Sequence, residues 1–178
     1  MLAAFDVHYS KDGWASAAAV LFCDYKDAAP SSSYTRILPD IAAYVPGKFY
    51  KRELPCILKL LEHIDREIHE IIVDGYVWLG TQPGLGQHLY QSLGDNMGVI
   101  GVAKTKFVGS SGAEVVRGKS LRPLYITAAG LDQAAAAQKI LNMHGAYRIP
   151  ELLKQVDLIA RATALKYRMS ASWSQTLQ

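Results

Sequence analysis

Hydrophobic and polar positions follow strand-like spacing in the first part of the chain and helical spacing directly after it. We predict three successive strands, at 2–9, 14–24 and 34–42. The Lys-Asp-Gly segment at 11–13 is typical of a hairpin turn between the first two strands. A serine cluster at 31–33 predicts a further turn. From 49 to 64 apolar residues recur every three or four positions, which predicts a helix.

The rest of the chain alternates short apolar runs with helical segments. The runs at 71–73, 99–103 and 124–127 predict strands, and the segments at 86–93, 131–143 and 149–167 predict helices. This arrangement indicates an α/β protein with a mixed β-sheet flanked by α-helices. The order β-β-β-α-β-α-β is that of the RNase H-like fold. We expect one domain over 1–170 and a C-terminal tail at 171–178.

Composition is that of an ordinary globular protein, with half of the 178 residues apolar and a fifth charged. No apolar run approaches the roughly 20 residues of a membrane-spanning helix, so we expect no membrane association. The first residues contain no basic segment followed by a cleavage site. We therefore expect an intracellular protein, cytoplasmic or, in a eukaryote, nuclear. Oligomeric state is left open by the sequence, and we expect a monomer.

Cysteine content and net charge limit the chemistry only weakly. Cys23 and Cys56 form no CxxC pair and cannot make a zinc site by themselves. Each lies in an apolar run, which predicts a buried free thiol. The net charge of +3 is compatible with a polyanionic partner but does not establish one.

Three carboxylates stand where an apolar environment makes a charge costly. Asp6 lies inside an apolar strand, where its desolvation must be offset by a partner or a metal ion. Asp74 ends the run at 71–73, at the edge where open α/β sheets place their ligands, and Gly75 after it allows close approach. Glu53 shares the helix stripe that faces the sheet.

Each acid alone is more simply explained as a strand-end or helix-edge charge that reaches solvent. All three together lie on the first strand, first helix and fourth strand, which are the positions that a two-metal nuclease of this fold requires. Oxygen-only ligands favour Mg²⁺, with Mn²⁺ as a substitute. Two such ions, about 4 Å apart, would activate the attacking water and stabilise the leaving oxygen.

Short motifs in register make the interpretation more specific. They are found at residues 6–9 (DVHY), 43–47 (AYVPG), 52–55 (RELP), 73–75 (VDG), 84–89 (GLGQHL), 100–104 (IGVAK), 122–126 (RPLYI) and 148–150 (RIP). In this order and spacing, over residues 1 to roughly 160, they resemble the motifs of the endonuclease V family. The resemblance implies an RNase H-like enzyme that uses Mg²⁺ to cut a phosphodiester near a deaminated purine, chiefly hypoxanthine, in DNA or RNA. It thus implies repair of nucleic acid or processing of inosine-containing RNA.

Site residues are carried over from the family by these motifs. Asp6, Glu53 and Asp74 would hold the metal, with Asp157 of the last helix as a weaker further ligand. Lys104 would lie near the scissile phosphate, where its ammonium offsets developing charge. The remaining assignments concern the substrate: Tyr44 as the wedge that fills the space of the displaced base, and Gly47, Gly75 and Gly84 as the backbone lining of the base pocket.

The segment at 76–83 departs from the family pattern. Where the family carries a histidine motif of H-G-x-x-H-P-R type, this chain has neither histidine nor arginine, and the family associates the second histidine with the active site. Tyr76 and Trp78 alternate with apolar residues, as on a strand that continues past Asp74. These rings either stack on bases or cover the core. His88 is interpreted as a helix residue that supports the site from behind.

Other departures indicate a divergent, compact branch of the family. The chain begins almost at the first catalytic strand, the segment after 122–126 is shortened, and Ala43 replaces a usual proline. Two further functions therefore stay open: a nuclease-fold protein that binds nucleic acid without catalysis, and an RNase H-like nuclease for branched or mismatched DNA. The three acids argue against the first, because a pure binder does not need them.

Overall fold

The computed structural model describes residues 1–43, 45 and 48–176, with side chains through residue 170. Its strands are β1 (Leu2–Tyr9), β2 (Ala15–Phe22), β3 (Ser32–Leu38), β4 (Glu70–Asp74), β5 (Trp78–Leu79), β6 (Gln82–Pro83), β7 (Gly98–Ala103), β8 (Ala113–Val115) and β9 (Leu124–Ala129). Its helices are α1 (Tyr50–Leu61), α2 (Leu85–Ser92), α3 (Gln133–Leu141) and α4 (Glu151–Thr176).

A seven-stranded mixed sheet forms the centre of the protein, in the order β3-β2-β1-β4-β7-β9-β8. The first three strands are antiparallel neighbours, whereas β4 is parallel to both β1 and β7. The last two, β9 and β8, return to antiparallel pairing. The short strands β5 and β6 form a separate two-stranded ribbon. The predicted mixed sheet is thus confirmed, with β5, β6 and β8 as additional strands that the sequence did not predict.

Helices cover both faces of this sheet, and each face has its own hydrophobic core. On one face, α1 and α2 bury residues such as Ile57 and Leu89 against odd-numbered positions of β1 and β2. On the other face, α3 and α4 bury Ile140 and Val156 against even-numbered positions of the same strands. Every residue of β2 is buried because the strand is covered on both sides.

Most predicted elements are present, with boundaries shifted by a few residues. The predicted turn at 31–33 is wrong, since Ser32 and Ser33 already pair with β2. The chain turns earlier because the Asp27 carboxylate accepts hydrogen bonds from the backbone N–H groups of Cys23 and Asp24. Cys23 is consequently exposed in this turn, contrary to prediction, while the buried free thiol predicted at Cys56 is confirmed.

The strand predicted to continue past Asp74 is not formed. β4 ends at Asp74, and Gly75 has a φ of +140°, which turns the chain away from the sheet. Trp78 therefore belongs to the β5–β6 ribbon. At the other end, α4 extends to Thr176, so the expected boundary at 170 lies inside a helix. None of the described helices combines the length and hydropathy needed to cross a bilayer.

Arg117, which follows β8, is 5% exposed and holds the segment between α3 and α4 in place. Its guanidinium donates to five backbone carbonyl oxygens: those of Leu141, Met143, Gly145, Tyr147 and Arg148. Burial lowers the pKa of this guanidinium. No carboxylate of the described residues pairs with it. The backbone carbonyls therefore compensate the buried charge on their own.

We expect Arg117→Ala to lower the free energy of unfolding by about 3 kcal/mol or more, because it leaves several carbonyls without a partner. The melting temperature should fall by roughly 6–12 °C in a domain of this size. Arg117→Lys should recover part of the loss, and Arg122→Ala, at an exposed neighbour, should melt like the wild type. Equal melting temperatures for Arg117→Ala and the wild type would contradict this role.

Candidate active site

The carboxyl ends of the parallel strands bring Asp6 and Asp74 to neighbouring positions. β1 and β4 pair in parallel up to Phe5 and Val73, and each aspartate is the next residue of its strand. Side chains alternate along a strand, so both aspartates lie on the α4 face of the sheet. Lys104 follows β7 on the same face. Strand pairing alone thus brings two acids and a lysine together.

Asp157 reaches the same place from α4. A narrow cavity of about 20 Å³ is lined by the polar side chains of Asp6, Asp74, Lys104 and Asp157, and otherwise by apolar residues such as Val102. The single N–H of Arg161 Nε donates one bifurcated hydrogen bond to the Asp157 carboxylate, at 2.9 Å to Oδ1 and 3.0 Å to Oδ2. Asp157, which the sequence suggested only as a further ligand, therefore lies beside Asp6 and Asp74.

Glu53 approaches the site from α1, on the opposite face of the sheet. It is 3% exposed, and its Oε2 atom has no hydrogen-bond partner among the described residues. Burial, followed by the charges of Asp6 and Asp74, raises the pKa of Glu53 well above its usual value. The predicted inward orientation of this side chain is confirmed. A buried carboxylate oxygen without a partner is costly unless a cation or a proton compensates it.

The same crowding of negative charge acts on Asp6. Burial, together with the charges of Asp74 and Asp157, raises the pKa of Asp6 from 3.8 to about 6, although Lys104 and Arg161 lower it. The carboxylates therefore destabilise one another in the absence of a cation.

Lys104 supplies a positive charge within this group of acids. Its Nζ atom donates to Asp74 Oδ2 at 2.5 Å. Burial lowers the pKa of Lys104, but Asp74, Asp6 and Asp157 outweigh this effect and raise the pKa above its ordinary value. Arg148 donates to the backbone carbonyl oxygen of Lys104 and, at 2.8 Å, to that of Pro123, which fixes the end of β7.

The acids fit a hard divalent cation by their chemistry. All donors are carboxylate oxygens, and the unpartnered Oε2 of Glu53 marks a direction in which positive charge is needed. In their present rotamers, no three His, Cys, Asp or Glu side chains of the described residues stand at chelating distances. The nearest compensating charge is the Lys104 ammonium bound to Asp74.

A second pocket, of about 190 Å³, contains two of the glycines expected from the sequence. Gly75 and Gly84 line it together with aromatic and aliphatic residues, namely Phe49, Tyr50, Tyr76, Leu79 and Leu85. A side chain at Gly84 would collide with the carbonyl oxygen of Tyr76, so glycine is required for this close approach. Tyr44 and Gly47, the expected wedge and third pocket glycine, lie outside the described residues.

The aromatic residues of the divergent segment pack within the protein. Tyr76 is 9% exposed, and its hydroxyl donates to the carbonyl oxygen of Thr105 and accepts from the N–H of Phe107. Trp78 is partly buried against the core on the α1 face. Both rings thus contact the protein's own residues, and Tyr76 also lines the pocket that contains Gly75 and Gly84, so base stacking by these rings stays a prediction. His88 stacks on Tyr50 with ring centroids 3.8 Å apart, and burial lowers its pKa.

Sequence reasoning did not identify Tyr9, Arg52 and Arg148 as supports of the site. The Arg52 guanidinium lies 4.2 Å from the centre of the Tyr9 ring. Burial and the charge of Glu53 raise the pKa of Tyr9, so its hydroxyl stays neutral beside the acids. All three residues belong to the motifs at 6–9, 52–55 and 148–150. Their presence in these motifs was the feature of the sequence that could have identified them.

Asp6→Asn should stabilise the metal-free protein. Because the folded pKa of about 6 exceeds the usual 3.8, the wild type loses stability relative to the variant as pH rises from about 4 to about 6. Above that range the variant should be more stable by up to about 3 kcal/mol. Thermal melts in EDTA from pH 4 to 8 measure this, with Asp95→Asn at an exposed position as the control. If the difference in stability between Asp6→Asn and the wild type becomes smaller as pH rises, the expectation is contradicted.

Comparisons with known proteins agree with this geometry. Residues 1–130 match the family model of endonuclease V. Endonuclease V of Nostoc punctiforme is 28% identical over 183 residues, which cover 90% of this chain and 82% of the relative.

Solved structures show the same fold. Endonuclease V from Bacillus subtilis has a TM-score of 0.79 at 19% identity, with 95% of this chain and 82% of that chain covered. Endonuclease V of Ciona intestinalis, in complex with a 24-mer DNA containing an inosine followed by a ribo-adenosine, has a TM-score of 0.79 at 19% identity, with 93% and 86% covered. The RNase H-like fold expected from the element order is thereby confirmed. The chain belongs to the endonuclease V family and is an endonuclease.

Proposed function

We propose that this endonuclease hydrolyses, with Mg²⁺ or Mn²⁺, a phosphodiester near a deaminated purine, chiefly hypoxanthine, in DNA or RNA. One observation carries the proposal. Asp6, Glu53 and Asp74 act electrostatically on one another at one edge of the sheet, and Glu53 keeps a buried oxygen without a partner. Such an arrangement is unfavourable in a protein that only binds nucleic acid, and it suits a cation site.

Asp6, Glu53 and Asp74 would hold the cation, with Asp157 as a further carboxylate beside them. A divalent cation at this position would activate a water molecule and stabilise the negative charge of the reacting phosphate. The Arg161 guanidinium, bound to both oxygens of Asp157, would orient that carboxylate. The family's histidine is absent from 76–83, and His88 is engaged with Tyr50, so the proposal rests on carboxylates.

Lys104 would contact the scissile phosphate. Its raised pKa keeps the ammonium charged at neutral pH. Arg148 holds the backbone of Lys104, so the charge is positioned before the substrate binds. A preorganised cation favours the transition state because negative charge develops there without reorganisation of solvent.

The second pocket supports the choice of substrate. Gly75 and Gly84 expose backbone beside aromatic rings, which suits a flat base that has left the stack. The Ciona intestinalis endonuclease V of the same fold was solved with inosine-containing DNA. We therefore propose that a flipped hypoxanthine occupies this pocket. The roles of Tyr44 as the wedge and of Gly47 as a further pocket glycine stay predictions from the family resemblance.

Purified protein with Mg²⁺ or Mn²⁺ should cut inosine-containing oligonucleotides of DNA or RNA, and not their unmodified counterparts. Asp74→Asn should lower the single-turnover rate by about a thousandfold or more, since loss of a ligand costs several kcal/mol of transition-state stabilisation. Gel analysis of labelled oligonucleotides measures both, with Asp95→Asn as the matched control. If inosine-containing oligonucleotides stay intact, the proposed substrate is wrong. If branched or mismatched DNA is cut preferentially, that DNA is the substrate instead.

Cation binding can be measured separately from cleavage. A concentration of Mn²⁺ about 100 times its dissociation constant should stabilise the wild type by about 2.7 kcal/mol, or roughly 5–10 °C. Glu53→Gln and Asp6→Asn should lose most of this shift because each removes a carboxylate charge, whereas Asp95→Asn should keep it. Melting curves with Mn²⁺ and with EDTA test this. An undiminished shift in both variants would place the cation elsewhere.

A further inference from the structure

A wide groove begins where the catalytic cavity ends. It has a volume of about 780 Å³, and Lys104, Lys119, Tyr147, Arg148, Lys154 and Asp157 contribute its polar and aromatic lining. We call it the basic groove. Lys104 and Asp157 also line the cavity between the acids. A nucleic-acid strand bound at the acids could therefore continue into this groove without crossing other parts of the protein surface.

Cationic side chains dominate the basic groove. Lys119 and Lys154 are exposed, and neither ammonium has an acidic partner among the described residues. Asp157 is the single acid in the described lining, and Arg161 compensates its charge. Two lysines that lack an acidic partner among the described residues, beside a candidate phosphodiester site, are suited to the phosphates of a polyanion.

An exposed aromatic ring accompanies these charges. Tyr147 is 71% exposed, and the ammonium of Lys154 lies 6.0 Å from the centre of its ring. Ile149 and Leu153 add apolar side chains to the lining of the same groove. Single-stranded nucleic acids bind to surfaces that combine phosphate-contacting cations with a ring on which a base can stack. An acidic peptide without aromatic residues would use the lysines but would leave Tyr147 without a stacking partner, whereas every nucleotide supplies both a phosphate and a flat base.

The wall that carries Tyr147 is held in position before any ligand binds. Arg117 donates to the carbonyl oxygens of Tyr147 and Arg148 from inside the protein, at 3.0 and 3.4 Å. Gly118, with a φ of +59°, lies so close to the carbonyl of Ala146 that a side chain there would collide with it. The groove therefore does not depend on ligand to order this segment, which favours binding.

We propose that the basic groove binds the single-stranded sugar–phosphate chain that continues from the scissile phosphate, with Lys119 and Lys154 on phosphates and Tyr147 stacked on a base. This inference rests on the proposed function, because it places the scissile phosphate at the acids. It adds a binding surface outside the base pocket and on the opposite face of the sheet from α1.

Binding is tested first without cleavage, in EDTA, with fluorescent 20-nucleotide oligothymidylate and oligouridylate that contain no inosine. The dissociation constant is measured by fluorescence anisotropy over a range of salt concentrations. The variants are Lys119→Ala/Lys154→Ala, Tyr147→Ala and Tyr147→Phe. Lys59→Ala, at an exposed position of helix α1 on the other face of the sheet, is the control for loss of a lysine charge. Melting curves establish that each variant is folded.

The double lysine variant should bind about tenfold more weakly, and the slope of log Kd against log salt should fall by roughly 1.4, about 0.7 for each phosphate of the single strand that a lysine no longer neutralises. Tyr147→Ala should weaken binding at least about fivefold, while Tyr147→Phe should retain it because the stacking ring is kept. Lys59→Ala should bind as the wild type does. An unchanged affinity and salt slope in the lysine variant would overturn the proposal, as would equal affinities of the two Tyr147 variants.

Cleavage then separates this proposal from the proposed function. On single-stranded inosine substrates, the lysine variant should raise KM and leave kcat near the wild-type value, because groove contacts are the same in the ground and transition states. Shortening the oligonucleotide on one side of the cut should abolish the difference from wild type. If the lysine variant and the wild type still differ after the oligonucleotide is shortened on either side, the groove proposal is wrong, although the proposed cleavage activity is unaffected. If the wild type cuts no inosine substrate while the variants lose oligothymidylate binding, the proposed function fails and the groove remains.

Discussion

Parallel pairing of β1 with β4 is the constraint on which the site depends. It places Asp6 and Asp74 one residue beyond the last paired positions, so their carboxylates share one edge and one face of the sheet. Neighbouring strands lie only about 5 Å apart, and two negative charges at that spacing oppose each other strongly in a partly buried position. Glu53, brought in from α1, adds a third acid that solvent hardly reaches. The fold can hold this cluster because two hydrophobic cores, one on each face, stabilise the sheet independently of it.

Compensation of that charge connects the catalytic cavity with more distant parts of the protein. Lys104 bonds to Asp74, and Arg148 bonds to the backbone of Lys104. Arg117, buried beneath the segment between α3 and α4, holds the carbonyl of Arg148. A path of hydrogen bonds thus runs from Arg117, beyond the edge strand β8, to the acids. It also orders the wall that carries Tyr147, so the geometry of the site and of the adjoining groove have one structural origin.

Local patterns were sufficient for much of the fold and for the acids. The hairpin turn at 11–13, the inward stripe of α1 and the buried strands β4 and β7 follow from spacing that depends on neighbouring residues only. The serine cluster at 31–33 and Cys23 were misjudged because a side chain, Asp27, moved the turn upstream. The strand expected past Asp74 failed because Gly75 adopts a backbone conformation that alternation of side chains cannot reveal.

The sequence by itself indicated the family, the order of the main helices and strands, and the acids as candidate site residues, since motifs and hydrophobic periodicity are local properties of the chain. Only the tertiary structure decided that Asp157 lies beside Asp6 and Asp74, and that Tyr76 lines a pocket while Trp78 packs against the core on the α1 face. It also decided that Lys119 and Lys154, 35 residues apart in sequence, line one groove with Tyr147. Contacts between residues distant in the chain are set by strand pairing and helix packing, which no single segment encodes.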